Sequence, residues 1–135
     1  MAEKVVHAGG CFCGATRFAF SGSALRSVVC YCASCRKAVG ATRVAWLTVK
    51  VRDLHFSGET PRLLQSSPGI LRSFCAQCGT SLTWQEESAP ETIDVTIASF
   101  DQPENFPPGA EVWTGHRLAW DDGNSKLFQD AEDSI

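Results

Sequence analysis

Seven cysteines, set along the chain in groups of two, three and two, constrain this sequence more than any other feature. The groups read CFC, CYCASC and CAQC, and they comprise Cys11 and Cys13, then Cys30, Cys32 and Cys35, then Cys75 and Cys78. An odd number of thiols excludes complete pairing into disulfides within one chain. Clustered cysteines outside a disulfide framework are typical of metal sites or of redox chemistry.

Length and charge limit what else the chain can be. Its 135 residues predict one domain over residues 1–135, with a motif-bearing core at about 9–129 and an acidic tail at 130–135. A net charge of −3 and the absence of a basic tail argue against a nucleic-acid partner. The start lacks an apolar signal segment, and no run approaches the ~20 apolar residues of a membrane span. We therefore expect a cytoplasmic protein without membrane contact, whose thiols stay reduced; the pattern gives no indication of an oligomeric state.

The hydrophobic pattern predicts a mainly β fold with little helix. Short alternating or β-branched segments predict strands at 16–20, 28–31, 42–49, 54–56, 71–74, 81–84, 93–97 and 112–113. One short helical turn is expected at 33–38, ended by Gly40. Three prolines within 102–109 indicate a loop.

The outer cysteine pairs fit a structural zinc site. Such a site takes four ligands in a tetrahedron, and both CxC and CxxC pairs can turn two sulfurs toward one ion. One pair of each kind makes a plausible four-sulfur site that would cross-link distant parts of a β fold. Ligand counting alone does not fix which groups share an ion.

The central triplet offers three sulfurs, and three protein ligands with one open position are typical of a catalytic zinc. A substrate thiol could take that position as a thiolate. Arg36 and Lys37 directly follow the triplet and are candidates to offset its negative charge at the rim of a thiol site. Arg43 is a third candidate at this rim, and both Arg43 and Arg72 are candidates to bind a substrate carboxylate as bidentate forks.

Other interpretations of the cysteines remain open at this point. A CxxC pair can be a redox pair, although neither region has a thioredoxin-like pattern, and the thiols can simply be buried. A carboxylate or one of the histidines, His7, His55 or His116, could complete the central site, which would make both metals structural. The chain would then be a non-enzymatic, zinc-stabilised protein-interaction module.

Four stretches carry a resemblance to a known family. They read GGCFCGATRF at 9–18, CYCASCRKAVGA at 30–41, SSPGILRSFCAQCGTSL at 66–82 and SFDQPENFPPGAEVW at 99–113. In this order they resemble the glutathione-dependent formaldehyde-activating enzyme family, which includes the related centromere protein V-like domain. The resemblance extends over nearly the whole chain.

The resemblance implies a β-tent fold with two zinc ions. It implies a structural zinc held by Cys11, Cys13, Cys75 and Cys78, and a catalytic zinc held by Cys30, Cys32 and Cys35. The implied activity is that of a carbon–sulfur lyase, which joins glutathione to formaldehyde to form S-(hydroxymethyl)glutathione. A small-molecule thiol is accordingly the expected partner.

Overall fold

Ten β-strands and one α-helix make up the computed structural model, which describes residues 4–123, 127 and 129–132. The strands are β1 Val6–Gly10, β2 Thr16–Ser21, β3 Arg26–Cys30, β4 Val44–Lys50, β5 Leu54–Gly58, β6 Arg62–Ser67, β7 Ile70–Phe74, β8 Ser81–Glu86, β9 Thr92–Thr96 and β10 Ala110–Val112, and the helix is α1 Ala33–Val39. The expectation of a mainly β fold with little helix is confirmed.

The strands form two sheets. The smaller sheet has the order β1-β2-β5, and the larger has the order β10-β3-β4-β9-β8-β7-β6. Neighbouring strands are antiparallel except for β10, which runs parallel to β3. This order places the strand that ends at the central cysteines beside the last strand of the chain.

Two strands were not anticipated from the sequence, and their composition explains why. β1 ends in two glycines, a residue that is depleted in strands. Gly9 is nevertheless required in β1, because an added Cβ would overlap the ring of Phe18. β6 is exposed along its whole length, so it carries no alternation between apolar and polar residues.

Trp113 was expected in the last strand, but its φ of 58° lies outside β geometry. Much of the expected acidic tail, residues 133–135, lies outside the described residues.

The main hydrophobic core packs the two sheets together. Phe18 and Phe20 project from β2 of the smaller sheet, and Leu47 and Val49 project from β4 of the larger. The cluster is completed by buried side chains from β5, β8, β9 and the following loops, which are Leu54, Leu82, Val95, Ile97, Phe100 and Phe106. Burial of this apolar surface is the principal force that holds the sheets in contact.

The opposite face of the larger sheet carries a second, smaller core. Val44 and Trp46 alternate with the residues of the main core along β4, so β4 is buried on both faces. They pack with Val28 and with two of the central cysteines, Cys30 and Cys35. The second core therefore places the central triplet on the outer face of the sheet.

Helix α1 follows the prediction for residues 33–38 closely. Cys32 is its N-cap, and the Cys32 sulfur accepts a hydrogen bond from the backbone N–H of Cys35. Gly40 ends the helix in the left-handed region, with φ at 75°, where glycine is favoured. Within the described ranges, no helix combines the length and apolar character that crossing a membrane requires.

Candidate metal centres and the adjoining cavity

The outer cysteines converge into one group, which we call the four-thiol cluster: Cys11, Cys13, Cys75 and Cys78. Their sulfurs all lie within 4.8 Å of one another. The sulfur of Cys13 is 3.6 Å from that of Cys11 and 3.9 Å from that of Cys75. A tetrahedral zinc with Zn–S bonds near 2.3 Å would space its sulfurs by about 3.8 Å. The donor set therefore fits a metal of this kind.

Backbone donors orient the sulfurs of the four-thiol cluster. The N–H of Thr16 donates to the Cys11 sulfur at 3.3 Å, and the N–H of Gln77 donates to the Cys75 sulfur at 3.4 Å. Hydrogen bonds of this type favour the thiolate, which is the form that binds metal. The local turns thus prepare the sulfurs to act as ligands.

The four-thiol cluster connects the two sheets. Cys11 and Cys13 lie in the turn between β1 and β2 of the smaller sheet, and Cys75 and Cys78 lie in the turn between β7 and β8 of the larger. The backbone N–H of Phe12 also donates to the Thr80 hydroxyl oxygen at 3.0 Å across the same junction. A metal held here would cross-link segments that are distant in sequence.

The cysteines of the four-thiol cluster have pKa values shifted in opposite directions. Hydrogen bonding by the Thr80 side chain is the main cause that lowers the pKa of Cys78 to about 5. The backbone N–H of Ala15 favours the thiolate of Cys13, but the other three cysteines and desolvation together outweigh it and raise the pKa of Cys13 to about 12. Four sulfurs this close cannot all carry charge without a nearby cation.

The central cysteines form a second group, which we call the three-thiol cluster: Cys30, Cys32 and Cys35. Cys30 ends β3, Cys32 caps α1, and Cys35 lies in the first turn of that helix. The three sulfurs lie within 4.8 Å of one another. A strand end followed at once by a helix start thus turns three neighbouring side chains toward one point.

The pKa values of the three-thiol cluster indicate the same need for a cation. Burial raises the pKa of Cys30 to about 12, and charge on Cys35 and Cys32 adds to the effect. Burial also raises the pKa of Cys35. At Cys32, burial acts in the same direction, but hydrogen bonds from Cys35, Cys30 and the backbone N–H of Ser34 together outweigh it and lower the pKa. Only one of the three is readily ionised by the protein alone.

None of the three histidines joins the three-thiol cluster. The group of possible metal ligands at this point of the described chain contains cysteines alone. His7 contacts the rings of Phe20 and Phe106, and His116 contacts the ring of Trp113. His55 is exposed on β5 in the smaller sheet. The described protein thus supplies three sulfurs here and no histidine nitrogen.

A cavity of about 290 Å³ adjoins the three-thiol cluster, and all three of its cysteines line it. Trp46 and Trp84 form apolar walls. No cysteine of the four-thiol cluster contributes to the lining. The two clusters therefore differ in access to a pocket that could take a small molecule.

A row of five residues crosses the larger sheet at the floor of this cavity, and all of them except Thr48 line it. Its members lie opposite one another in the strand register, in the order Arg26 on β3, Thr48 on β4, Asp94 on β9, Trp84 on β8 and Arg72 on β7. The Thr48 hydroxyl donates to Asp94 Oδ1 at 2.5 Å. Burial raises the pKa of Asp94, although the bond from Thr48 opposes it. The two arginines thus stand at opposite ends of the row.

Arg72 lies at the end of the row that touches the three-thiol cluster. Its Nη2 is 3.7 Å from the sulfur of Cys35, and its Nε donates to the Ser66 hydroxyl oxygen at 3.1 Å. Its Nη1 is buried and has no acceptor among the described residues. Of the two arginines that the sequence suggested as carboxylate forks, this one reaches the cavity.

The structure places the other expected rim residues away from the cavity lining. Arg36 donates from Nε to the Tyr31 carbonyl oxygen at 3.1 Å, and Lys37 is exposed on α1. Arg43 donates from Nη1 to the Tyr31 hydroxyl oxygen, and its Nη2 lies 3.2 Å from Asp121 Oδ1. None of the three lines the cavity. Their role at a thiol site therefore stays a prediction.

Tyr31, between two cysteines of the cluster, anchors the C-terminal segment. Its hydroxyl donates to Glu111 Oε1 at 2.9 Å, and the guanidinium of Arg117 lies 4.5 Å from its ring centroid. Arg117 in turn donates to Glu111 Oε2 at 3.0 Å. This network holds the segment that carries Trp113 at the cavity edge.

Comparison with known proteins identifies a matching family model and a similar solved structure. The family model described as glutathione-dependent formaldehyde-activating enzyme matches residues 6–116. A crystal structure of a Rhodobacter sphaeroides protein, a structural genomics target, is similar with a TM-score of 0.61 and 25% sequence identity. The similarity covers 77% of this chain and 98% of that one. No curated protein matches the sequence.

Proposed function

Because the chain belongs to the glutathione-dependent formaldehyde-activating enzyme family, we propose that it is a zinc-dependent carbon–sulfur lyase. Its reaction joins a thiol such as glutathione to formaldehyde or a related aldehyde, and the reverse reaction cleaves the adduct. The observation that carries this proposal is the three-thiol cluster, whose three sulfurs face a cavity of about 290 Å³.

We assign the two clusters different roles. The four-thiol cluster holds a structural zinc, since it offers a complete tetrahedral donor set at the junction of the two sheets. The three-thiol cluster holds a catalytic zinc, since its donor set is one short of four and it opens into the cavity. Zinc bound by these three cysteines would lower the pKa of a fourth, exogenous thiol and favour its nucleophilic thiolate.

The protein around the cavity supports addition of a thiolate to an aldehyde. Trp46 and Trp84 line the cavity with apolar surface, which limits water near the reacting atoms and strengthens electrostatic interactions there. The substrate sulfur forms a bond to the aldehyde carbon, the π electrons of the carbonyl move to its oxygen, and water supplies the proton. Holding both reactants in one small cavity raises the rate through proximity.

The expected partner is a small-molecule thiol, and the expected compartment is the cytoplasm. Seven cysteines without a disulfide in the described residues fit a reducing compartment, in which glutathione is also available. The net charge of −3 continues to argue against a nucleic-acid partner.

The proposal is tested by metal content together with the rate of exchange at equilibrium. Thiols add to formaldehyde without a catalyst, so the rate with the native protein is compared with the rate with the variant Cys35→Ser at equal protein concentration. The rate is measured by NMR magnetisation transfer between ¹³C-formaldehyde hydrate and its glutathione adduct. We expect two zinc ions per chain and an exchange rate about 1,000-fold or more above that of the variant. Equal rates in a protein that holds two zinc ions would contradict enzymatic function and favour the protein-interaction module.

A further inference from the structure

One donor of the Arg72 guanidinium has no partner at the edge of the three-thiol cluster. The side chain is held at two other points, because Nε donates to Ser66 and Nη2 lies 3.7 Å from the sulfur of Cys35. Nη1 is buried without an acceptor among the described residues. The guanidinium is therefore fixed in orientation while one of its nitrogens is left without a hydrogen bond.

A buried donor without an acceptor is costly. Leaving such a group unsatisfied costs about 1–3 kcal/mol, and more when the group is charged. Native proteins rarely retain these groups without a reason. Since Arg72 lines the cavity, a molecule bound there can supply an acceptor to its guanidinium.

The position of Arg72 restricts which oxygen can be that acceptor. Nη2 is 3.7 Å from the sulfur of Cys35, so the guanidinium lies beside the three-thiol cluster, where a substrate sulfur would bind. In the adduct, the former aldehyde oxygen is only two bonds from that sulfur, whereas the carboxylates of a peptide thiol are many bonds away. Arg26 lies at the other end of the row, four strand spacings or about 19 Å away, too far to reach the same oxygen.

The geometry points to Arg72 as a catalytic residue that donates hydrogen bonds to the alkoxide oxygen formed when the thiolate adds to the aldehyde. This inference rests on the proposed function. The sulfur contributes the electron pair of the new carbon–sulfur bond, and the carbonyl π pair becomes a lone pair on oxygen. Arg72 keeps its proton throughout, and water protonates the alkoxide after addition. In the reverse direction, the same donors stabilise the alkoxide before the carbon–sulfur bond breaks.

A fixed guanidinium suits this role better than a mobile cation would. Negative charge develops on the oxygen only during the reaction, so a donor already in place stabilises the transition state more than the neutral aldehyde. The two anchors of Arg72 supply this fixed orientation. A lysine would retain the charge but would lose the planar arrangement of donors.

Three variants separate contact with the oxygen from a general effect of positive charge. Arg72→Gln removes the charge and most donors, Arg72→Lys keeps the charge, and Arg26→Gln removes an equal charge from the far end of the same cavity. We expect the exchange rate to fall about 100- to 1,000-fold in Arg72→Gln. The rate should be intermediate in Arg72→Lys and within about threefold of the native rate in Arg26→Gln. Similar losses in the Arg72→Gln and Arg26→Gln variants would overturn the inference. The rate would then depend on the general electrostatic potential of the cavity and not on contact between Arg72 and the oxygen.

A binding measurement tests the same contact without catalysis. Mercaptoacetate and mercaptoacetamide have nearly the same shape, but only the former carries a negative oxygen close to the sulfur. We expect the zinc-loaded native protein to bind mercaptoacetate at least about tenfold more tightly in calorimetry, and Arg72→Gln to lose this preference. A preference that persists in Arg72→Gln would contradict the assignment.

The outcomes also distinguish this inference from the proposed function. Should the native protein bind neither thiol, the lyase proposal itself fails. Should it bind thiols and accelerate exchange while Arg72→Gln behaves as the native protein does, only the role of Arg72 fails. Loss of one zinc ion from Arg72→Gln but not from Arg72→Lys would likewise overturn the inference, since Arg72 would then serve to balance the charge of the cluster.

Discussion

The four-thiol cluster and the three-thiol cluster use the same ligand atoms in opposite settings. The first combines turns from two sheets, and its members Cys13 and Cys75 are 62 positions apart in sequence. The second comes from the single short segment Cys30–Cys35 and faces a cavity. A complete donor set that spans the fold suits cross-linking, whereas a local and incomplete set suits binding of a further ligand.

The comparison predicts that stability and activity depend on different cysteines. The largest effect is expected from Cys75→Ser, because Cys75 is fully buried and joins the two sheets through the four-thiol cluster. Structural zinc contributes about 10–16 kcal/mol to folding in small zinc-dependent peptides, which is comparable with the whole stability of a domain. We expect loss of the cooperative thermal transition in circular dichroism. If Cys75→Ser melts within a few degrees of the native protein, the four-thiol cluster does not have the structural role assigned to it.

At the other cluster, Cys35→Ser should abolish activity and leave the fold intact. Its sulfur lines the cavity, and its loss leaves two sulfur ligands at that point. We expect one zinc ion per chain instead of two, a cooperative thermal transition, and an exchange rate about 1,000-fold or more below the native rate. Unfolding as complete as that of Cys75→Ser would show that the two clusters share one structural role.

Removal of one hydrogen-bonding group near each cluster should have smaller and separate effects. Tyr31→Phe removes the hydroxyl that contacts Glu111 and Arg43 beside the three-thiol cluster, and Thr80→Val removes the hydroxyl that contacts Cys78. Each is expected to lower the free energy of unfolding by about 1–2 kcal/mol in urea denaturation. Only Tyr31→Phe should also lower the exchange rate, so equal rates in the two variants would count against the division of roles.

The smallest effect concerns Asp94, on the cavity floor away from both clusters. Burial raises its pKa, so its contribution to stability is fully present below the unfolded pKa near 4 and is lost as the pH rises through the folded pKa. In Asp94→Asn this dependence is absent. The difference in unfolding free energy, native minus variant, should therefore decrease with rising pH. An increase with pH would show that the Thr48 bond outweighs burial.

The grouping of the cysteines was predictable from the sequence because the spacing that suits a metal site is a local signature. CxC and CxxC spacings bring sulfurs together whatever the rest of the fold does, and α1 likewise followed from a short segment ended by Gly40. Which outer pairs meet was not fixed by spacing. The resemblance supplied that pairing, and the fold brings the same four sulfurs together.

The cavity floor could not be predicted, because it depends on strand register. Arg72, Asp94 and Arg26 come from distant segments and align only through the pairing of five strands. Sequence proximity was also a poor guide to the rim. Arg36 directly follows Cys35, but consecutive helical residues point about 100° apart, and its side chain turns to the Tyr31 carbonyl. Adjacency along a helix does not bring two side chains to one surface.

The most direct test of the division between the clusters is ¹¹³Cd NMR of the cadmium-loaded protein titrated with glutathione. Cadmium binds thiolates as zinc does, and its chemical shift reports the number of sulfur ligands. The account predicts two resonances, of which glutathione moves only the one that is missing in Cys35→Ser. If that resonance stays unmoved at saturating glutathione, or if the resonance of the four-thiol cluster moves instead, the three-thiol cluster has no position for a substrate thiol.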